Sequence, residues 1–313
     1  MQMRPLGKTG LSVTSLCVGT SALGSFPAQY GYEVGSDQAL ATLRRVFEGP
    51  INFIDTSNEY GNGGDSERRI GSALASAGGL PRGFVLASKV DPIPGTKDFS
   101  GARVRKSVAE SLDRLGLDRL QLVYLHDPEK ISFAEGMAKG GPVETMIKLR
   151  EEGLIEHLGV AGGPIDLMLQ YLATSVFEAV ISHNRYTLVD QSAEPLIEDA
   201  TRRGVAFVNA APFGGGMLVK GPDAQPKYCY APASKATLDR VKEMERLCKA
   251  HGVPLAAAAL QFSTRDPRVT STIVGMSDPG RIEQALRLVK YPIPGELWAK
   301  LEPLAAVGRD GVI

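Results

Sequence analysis

Tryptophan occurs once in the 313 residues and cysteine three times, and the formal charges cancel at 35 basic against 35 acidic. Each scarcity closes a class. Cys17, Cys229 and Cys248 are widely spaced and form no C-x-x-C pair, so neither a disulfide framework nor a cysteine-ligated metal is expected. All three thiols read as packing residues in a reducing compartment. With no net charge, no field draws nucleic acid or an anionic membrane. No apolar stretch nears the ~20 residues that span a bilayer, and the start MQMRPLGKTG carries no hydrophobic leader core. A cytoplasmic protein acting on a small molecule is the expectation; oligomeric state is not legible.

Two glycine-rich stretches imitate nucleotide motifs and fail. Gly7-Lys8-Thr9 ends like a P-loop, but Gln2 stands where the motif needs its first glycine. Gly61-Asn62-Gly63-Gly64 opens like a dinucleotide fingerprint, yet Ser66 takes the last glycine's place and no acidic residue follows at the required strand end.

Hydrophobic residues at 43% and charged ones at 22% supply an ordinary globular core. Eight short β-rich runs alternate with longer helical patterns: SLCVG (15–19), INFID (51–55), FVLASKV (84–90), LQLVYLH (120–126), HLGVAG (157–162), AVISHN (179–184), VAFVNA (205–210) and TSTIVG (270–275). Several are almost continuously apolar, as strands covered on both faces are. Helical patterns such as SERRIGSALASAG and GARVRKSVAESLDRLG end at a glycine, the usual left-handed stop. Eight strand–helix units make a (β/α)₈ TIM barrel. We expect one barrel domain over 1–313, preceded by a β-hairpin at 4–14, with 211–235 as a long loop after the seventh strand.

A barrel gathers its chemistry at the carboxyl ends of its strands. Asp55 ends the second strand, Tyr60 lies in the loop after it, Lys89 ends the third, and His126 closes the fourth. Singly, each has an ordinary structural explanation, as a cap, a wall or a satisfied core group. Four polar groups at consecutive strand ends suit acid–base work on a carbonyl or alcohol. A free phenol, with pKa near ~10, exchanges protons poorly at neutrality; an ammonium beside Tyr60 is expected to lower it, with a buried carboxylate holding the lysine charged. None of these groups carries a hydride, so a cofactor must. A metal-dependent hydrolase is disfavoured, because the first strand ends Val18-Gly19-Thr20 without a His-x-His pair; no metal is expected.

The runs DTSNEYG, LASKV, SVAESLDRLGLDRLQLVYLH and STIVGMSDPGRIEQAL together resemble the aldo-keto reductases, from the hairpin to about residue 300. The resemblance implies an NAD- or NADP-dependent oxidoreductase whose tetrad is Asp55, Tyr60, Lys89 and His126, with Tyr60 transferring the proton. HDPE (126–129), GVAGGPIDLML (159–169), SHNRYTL (182–188) and NAAPFGGGML (209–218) look most like the sugar dehydrogenase branch, which acts on L-fucose, D-threo-aldoses and L-galactose. A pyridoxal dehydrogenase is similar, as are the channel β-subunits, a non-catalytic class.

The resemblance places the cofactor on Thr20, Asp55, His183, Phe213, Gly214, Gly215, Gly275, Met276, Ser277, Arg281 and Gln284, and the substrate on Ser21, Tyr60, His126 and Asp127. It also has departures. Ala161-Gly162 replaces the Ser-Asn that grips the nicotinamide amide, Ala210 replaces an aromatic, and His183 replaces a glutamine, which leaves it either a cofactor contact or part of the scaffold behind one. NADP-requiring relatives put a lysine where this chain has Gly275 but share Arg281, so NAD is the preferred expectation. Relatives that take aromatic aldehydes wall the pocket with tryptophans where Ser21 and Asp127 stand here, which implies a polar mouth and a sugar. His157 and His251 have no such placement and read as structural.

Overall fold

The computed structural model describes residues 1–93, 95–229 and 231–305. Eight parallel strands close into a barrel: β1 Leu16–Gly19, β2 Phe53–Asp55, β3 Val85–Val90, β4 Leu120–His126, β5 Ile155–Gly162, β6 Ala179–His183, β7 Ala206–Ala210 and β8 Val269–Gly275, with β8 pairing back to β1. The expected (β/α)₈ barrel is therefore the fold. Met3–Pro5 and Ser12–Thr14 form the antiparallel hairpin. Its Leu6 and Val13 join the apolar cluster of the barrel interior. The Arg4 guanidinium donates to the carbonyls of Thr264, Asp266 and Val269. The hairpin thus plugs the amino-terminal end and leaves the other end for chemistry.

Side chains alternate along a strand, so every second residue faces the barrel axis. Phe53, Val85, Ala87, Leu122, Tyr124, Ala161, Ala179, Ile181, Ala206, Val208 and Ile273 form that inner cluster. Continuing the same parity to the carboxyl ends brings Asp55, Lys89, His126, His183, Ala210 and Gly275 to one face. Gly159 on β5 is required by this filling, because a Cβ there would stand 2.3 Å from the Tyr124 ring.

The expected helices SERRIGSALASAG and GARVRKSVAESLDRLG appear within one residue of their sequence bounds, as Asp65–Ala77 and Gly101–Leu115. Two further helices, of nine and ten residues, were not among the expected ones. Ile165–Ala173 follows Gly163 and Pro164 after β5. Leu255–Thr264 (LAAAALQFST) is buried on nearly every side, so no polar face marks its helical period. The expected loop at 211–235 is in fact partly ordered into a glycine turn at Gly214–Gly216, a short helix Met217–Lys220, and a small antiparallel pairing of Lys227–Tyr228 with Ala231–Pro232. All three cysteines are buried and unbonded. Among the described residues no helix is long and apolar enough to cross a membrane.

Candidate active site

Asp55, last in β2, and Lys89, next to last in β3, form an almost wholly buried pair, Nζ to Oδ1 2.6 Å, and Nζ also donates to the Thr56 carbonyl at 2.6 Å. Burial raises the Asp55 pKa even though the Lys89 ammonium opposes it. Lys89 Nζ lies 4.7 Å from the centroid of the Tyr60 ring, and the Tyr60 and His126 rings stand edge to face with centroids 6.2 Å apart. The four residues proposed from the sequence thus meet.

The expected activation of the phenol is not what this arrangement does. Burial, then the carboxylates of Asp55 and Asp91, the neighbouring Tyr30, and Asp127 push the Tyr60 pKa well above its ordinary value. The Lys89 ammonium lies against the ring and is matched by Asp55. Tyr60 is a phenol in this site.

His126 is held from both sides. Its Nδ1 lies 2.5 Å from Oδ1 of Asp91, a fully buried carboxylate whose other oxygen accepts the Ser57 hydroxyl at 2.5 Å. Its Nε2 lies 3.5 Å from Asp127 Oδ1. Burial alone would lower the imidazole pKa, but Asp91 and Asp127 raise it overall. Burial would likewise raise Asp91, which the imidazole, the Ser57 hydroxyl and Lys89 hold below its ordinary value. Asp91 was missed in the sequence, where it reads as the loop residue before Pro92.

Asp127 takes left-handed backbone (φ 44°), uncommon for a residue with a Cβ. It opens the short turn Pro128–Lys130 without a side-chain cap bond. Its carboxylate instead lies against His126 and 3.4 Å from Lys130 Nζ, which also approaches Glu59 at 3.7 Å. Ser21 begins a short helical turn after β1, and its hydroxyl is 2.7 Å from that of Tyr30. Tyr30 stacks with Tyr32, so two phenol rings stand on the Ser21 side. Trp298 lies elsewhere, its ring under the Arg265 guanidinium at 3.8 Å.

The cofactor residues divide. Thr20 is buried, its hydroxyl donating to the Asp55 carbonyl and accepting from Ser66. His183 is half-buried, with Nδ1 3.1 Å from the Asn184 amide nitrogen, and burial lowers its pKa. Gly162 is forced by its neighbours, because a Cβ there would stand 2.8 Å from Met168 and 2.9 Å from Glu129 Oε2. Glu129, whose other oxygen accepts the Gly163 N–H, therefore fills the space that a side chain at position 162 would need.

Phe213 leans on the core beside the glycine turn. Gly214, Gly215 and Gly216 all have positive φ. The first two owe their lack of Cβ to Tyr228 and the Cys229 backbone, whereas nothing lies within 4 Å of a Cβ at Gly216. Gly275 is equally open and exposed; Met276 is buried, its N–H bonding the Gly19 carbonyl. Ser277 donates to Asp278, and it is Asp278 that caps the helix Pro279–Val289 through the Arg281 N–H. Arg281 donates to Gln284 on the exposed face. Open glycine backbone beside a helix N-terminus and a half-exposed arginine is the donor set a pyrophosphate takes. His157 bonds Glu178, and His251 bonds the Leu247 carbonyl at a helix end; both are structural as expected.

A barrel with a buried Lys–Asp pair, a phenol and an imidazole at adjacent strand ends, with open glycine backbone at Gly275 before a helix N-terminus, has the groups that carbonyl–alcohol redox chemistry uses. The chain belongs to the Aldo/keto reductase family, whose sequence model matches residues 15–306. It is 33% identical to L-galactose dehydrogenase of Arabidopsis thaliana, over 92% of this chain and 88% of that protein. It is 30% identical to D-threo-aldose 1-dehydrogenase of a Pseudomonas species, over 93% of this chain and 94% of that one, and 28% identical to pyridoxal 4-dehydrogenase of Microbacterium luteolum, over 96% of each. The holo form of an aldo-keto reductase from Bacillus halodurans superposes with TM-score 0.81 over 99% of both chains at 24% identity, a likeness of fold. The protein is an NAD(P)-dependent oxidoreductase.

Proposed function

We propose that the whole chain works as one barrel unit that oxidises a free aldose at its anomeric carbon to the lactone. The observation that carries this reading is the Asp127 carboxylate, held by Lys130 and strained backbone within 3.5 Å of His126 Nε2. A hydroxylated substrate can satisfy such a charged group, whereas an apolar one would bury it unpaired at ~1–3 kcal/mol or more. Relatives named for L-galactose and D-threo-aldoses support it. The bound nicotinamide supplies the hydride acceptor. Tyr60 and His126 address the reacting oxygen, Tyr60 as the proton-transfer residue; Lys89 and Asp55 fix the phenol's position; Asp127 and Ser21 hold sugar hydroxyls. Thr20, His183, Phe213, Gly214, Gly215, Gly275, Met276, Ser277, Arg281 and Gln284 line the cofactor's path.

Asp127→Ala tests the substrate. Losing a hydrogen bond to a charged group corresponds to roughly a 10–100-fold rise in KM for the sugar, with a much smaller rise for an unsubstituted aldehyde assayed in reverse. Equal rises for both, or a wild-type enzyme that prefers aromatic aldehydes to every aldose, would reject the sugar.

The cofactor reading is separate. With Gly275 offering no cation and Arg281 already engaged with Gln284, NAD is the expected cofactor, used at least as well as NADP. Comparing kcat/KM for the two checks it, and a strict need for NADP would overturn it.

A further inference from the structure

The Asp91–His126 contact constrains the imidazole more than its neighbours do. A carboxylate accepts and cannot donate. Facing Asp91 at 2.5 Å, Nδ1 of His126 therefore carries a hydrogen whenever Asp91 is ionised. Asp91 is fully buried, which opposes its charge, but the imidazole and the Ser57 hydroxyl that donates to its second oxygen hold it ionised, and its backbone carbonyl, accepting from Arg103 Nε at 3.0 Å, fixes its place. Arg103 is itself tied to Asn58 and Glu110. With Nδ1 protonated, Nε2 has two states. In the cation it donates, and in the neutral ring it presents a lone pair to the pocket. A neutral His126 cannot serve as a fixed Nε2–H donor here.

We propose that Asp91 is a positioning residue for the redox reaction, holding His126 with Nδ1–H inward so that Nε2 is the proton acceptor of the site. The inference rests on the oxidoreductase reading and deepens it. In the oxidation, the C1–H electrons leave as hydride to the nicotinamide and the anomeric hydroxyl becomes a carbonyl. Its proton passes to the Tyr60 oxygen as Tyr60 gives its own to His126 Nε2. Tyr60 begins and ends as a phenol, consistent with surroundings that disfavour phenolate, and the imidazolium formed is matched by Asp91. Reduction runs the same transfers backwards.

Several other charged or titratable groups face the imidazole: Lys89 from β3, Asp55 and Glu59 from β2 and its loop, Asp127 beside it, and His183 from β6. Asp91 touches Nδ1, and its removal takes away the contact that raises the ring's affinity for a proton. The half-rise of an oxidation rate with pH should therefore move to lower pH in Asp91→Asn, not higher.

Two measurements test this. The first is ¹⁵N NMR of the wild-type enzyme labelled on its four histidines, with His126 assigned from His126→Gln. The neutral ring is expected to carry its proton on Nδ1, and a proton on Nε2 would overturn the proposal whether or not any variant folds. The second is the pH profile of NAD-linked oxidation with L-galactose as the probe. Asp91→Asn should lower the plateau on the order of 10–100-fold and move the half-rise down together with the His126 titration seen by NMR. A plateau loss with an unmoved half-rise would mean a merely structural role and would sink the proposal. If wild type leaves L-galactose untouched, the sugar reading is what fails, and the NMR titration of wild type against Asp91→Asn decides this inference alone.

Discussion

Tyr60→Phe is expected to lower turnover by about 10²–10⁴-fold, the range of a positioned proton donor or acceptor, with cofactor affinity close to wild type. Phenylalanine keeps the ring that sits 4.7 Å from Lys89 Nζ and edge-on to His126, so the packing at the strand ends survives and only the hydroxyl is lost. The loss should appear in kcat and kcat/KM together, because the group acts on an oxygen whose charge changes in the transition state. Cofactor dissociation constants from calorimetry, beside kcat for substrate deuterated at the reacting carbon, separate chemistry from product release. Near wild-type turnover in the folded variant, with an isotope effect showing hydride transfer to be rate-limiting, would remove Tyr60 from the mechanism.

Much of this site was legible because a parallel barrel writes its strands as continuous apolar runs, and the first charged residue after each run sits at the functional rim. FID, VLASK and LQLVYLH end in Asp55, Lys89 and His126 for that reason, and the inward parity of Phe53, Val85 and Leu122 carries through to those ends. Asp91 hid because its partner is 35 residues away. The signal was present in register: β3 and β4 pair Lys89 with Tyr124 and Val90 with Leu125, and one more step sets Asp91 beside His126.

The phenol's protonation was misjudged for a different reason. Spacing shows that Lys89 is near Tyr60, but not that Asp55 matches the ammonium while burial and the charges of Asp55, Asp91 and Asp127 work against phenolate. The glycines at 214–216 show the same limit. Their composition marks close approach, and only coordinates reveal that Tyr228 and the Cys229 backbone are what approach Gly214 and Gly215.

Lys89→Met should cost both activity and stability, and the two losses can be told apart. Removing the ammonium leaves Asp55 fully buried beside an apolar side chain, with Oδ2 already without a partner among the described residues. Breaking such a pair from one side costs about 3–5 kcal/mol. The pH dependence follows from the Asp55 pKa, which burial raises above its unfolded value even with Lys89 opposing. A carboxyl raised on folding binds its proton more tightly in the native state. Its contribution is favourable below the unfolded pKa and is lost as pH rises through the folded one. Without Lys89 the folded value rises further, so the melting-temperature deficit of Lys89→Met against wild type should be smaller in mildly acidic than in mildly alkaline buffer. Adding Asp55→Asn removes the stranded charge and should recover much of the stability while turnover stays depressed, since the phenol and imidazole still lack the group that holds them. Thermal unfolding of the three proteins across pH, with kcat measured on each, checks the argument. A Lys89→Met enzyme as stable as wild type at alkaline pH would show that the pair is not the buried, coupled unit at the centre of the site.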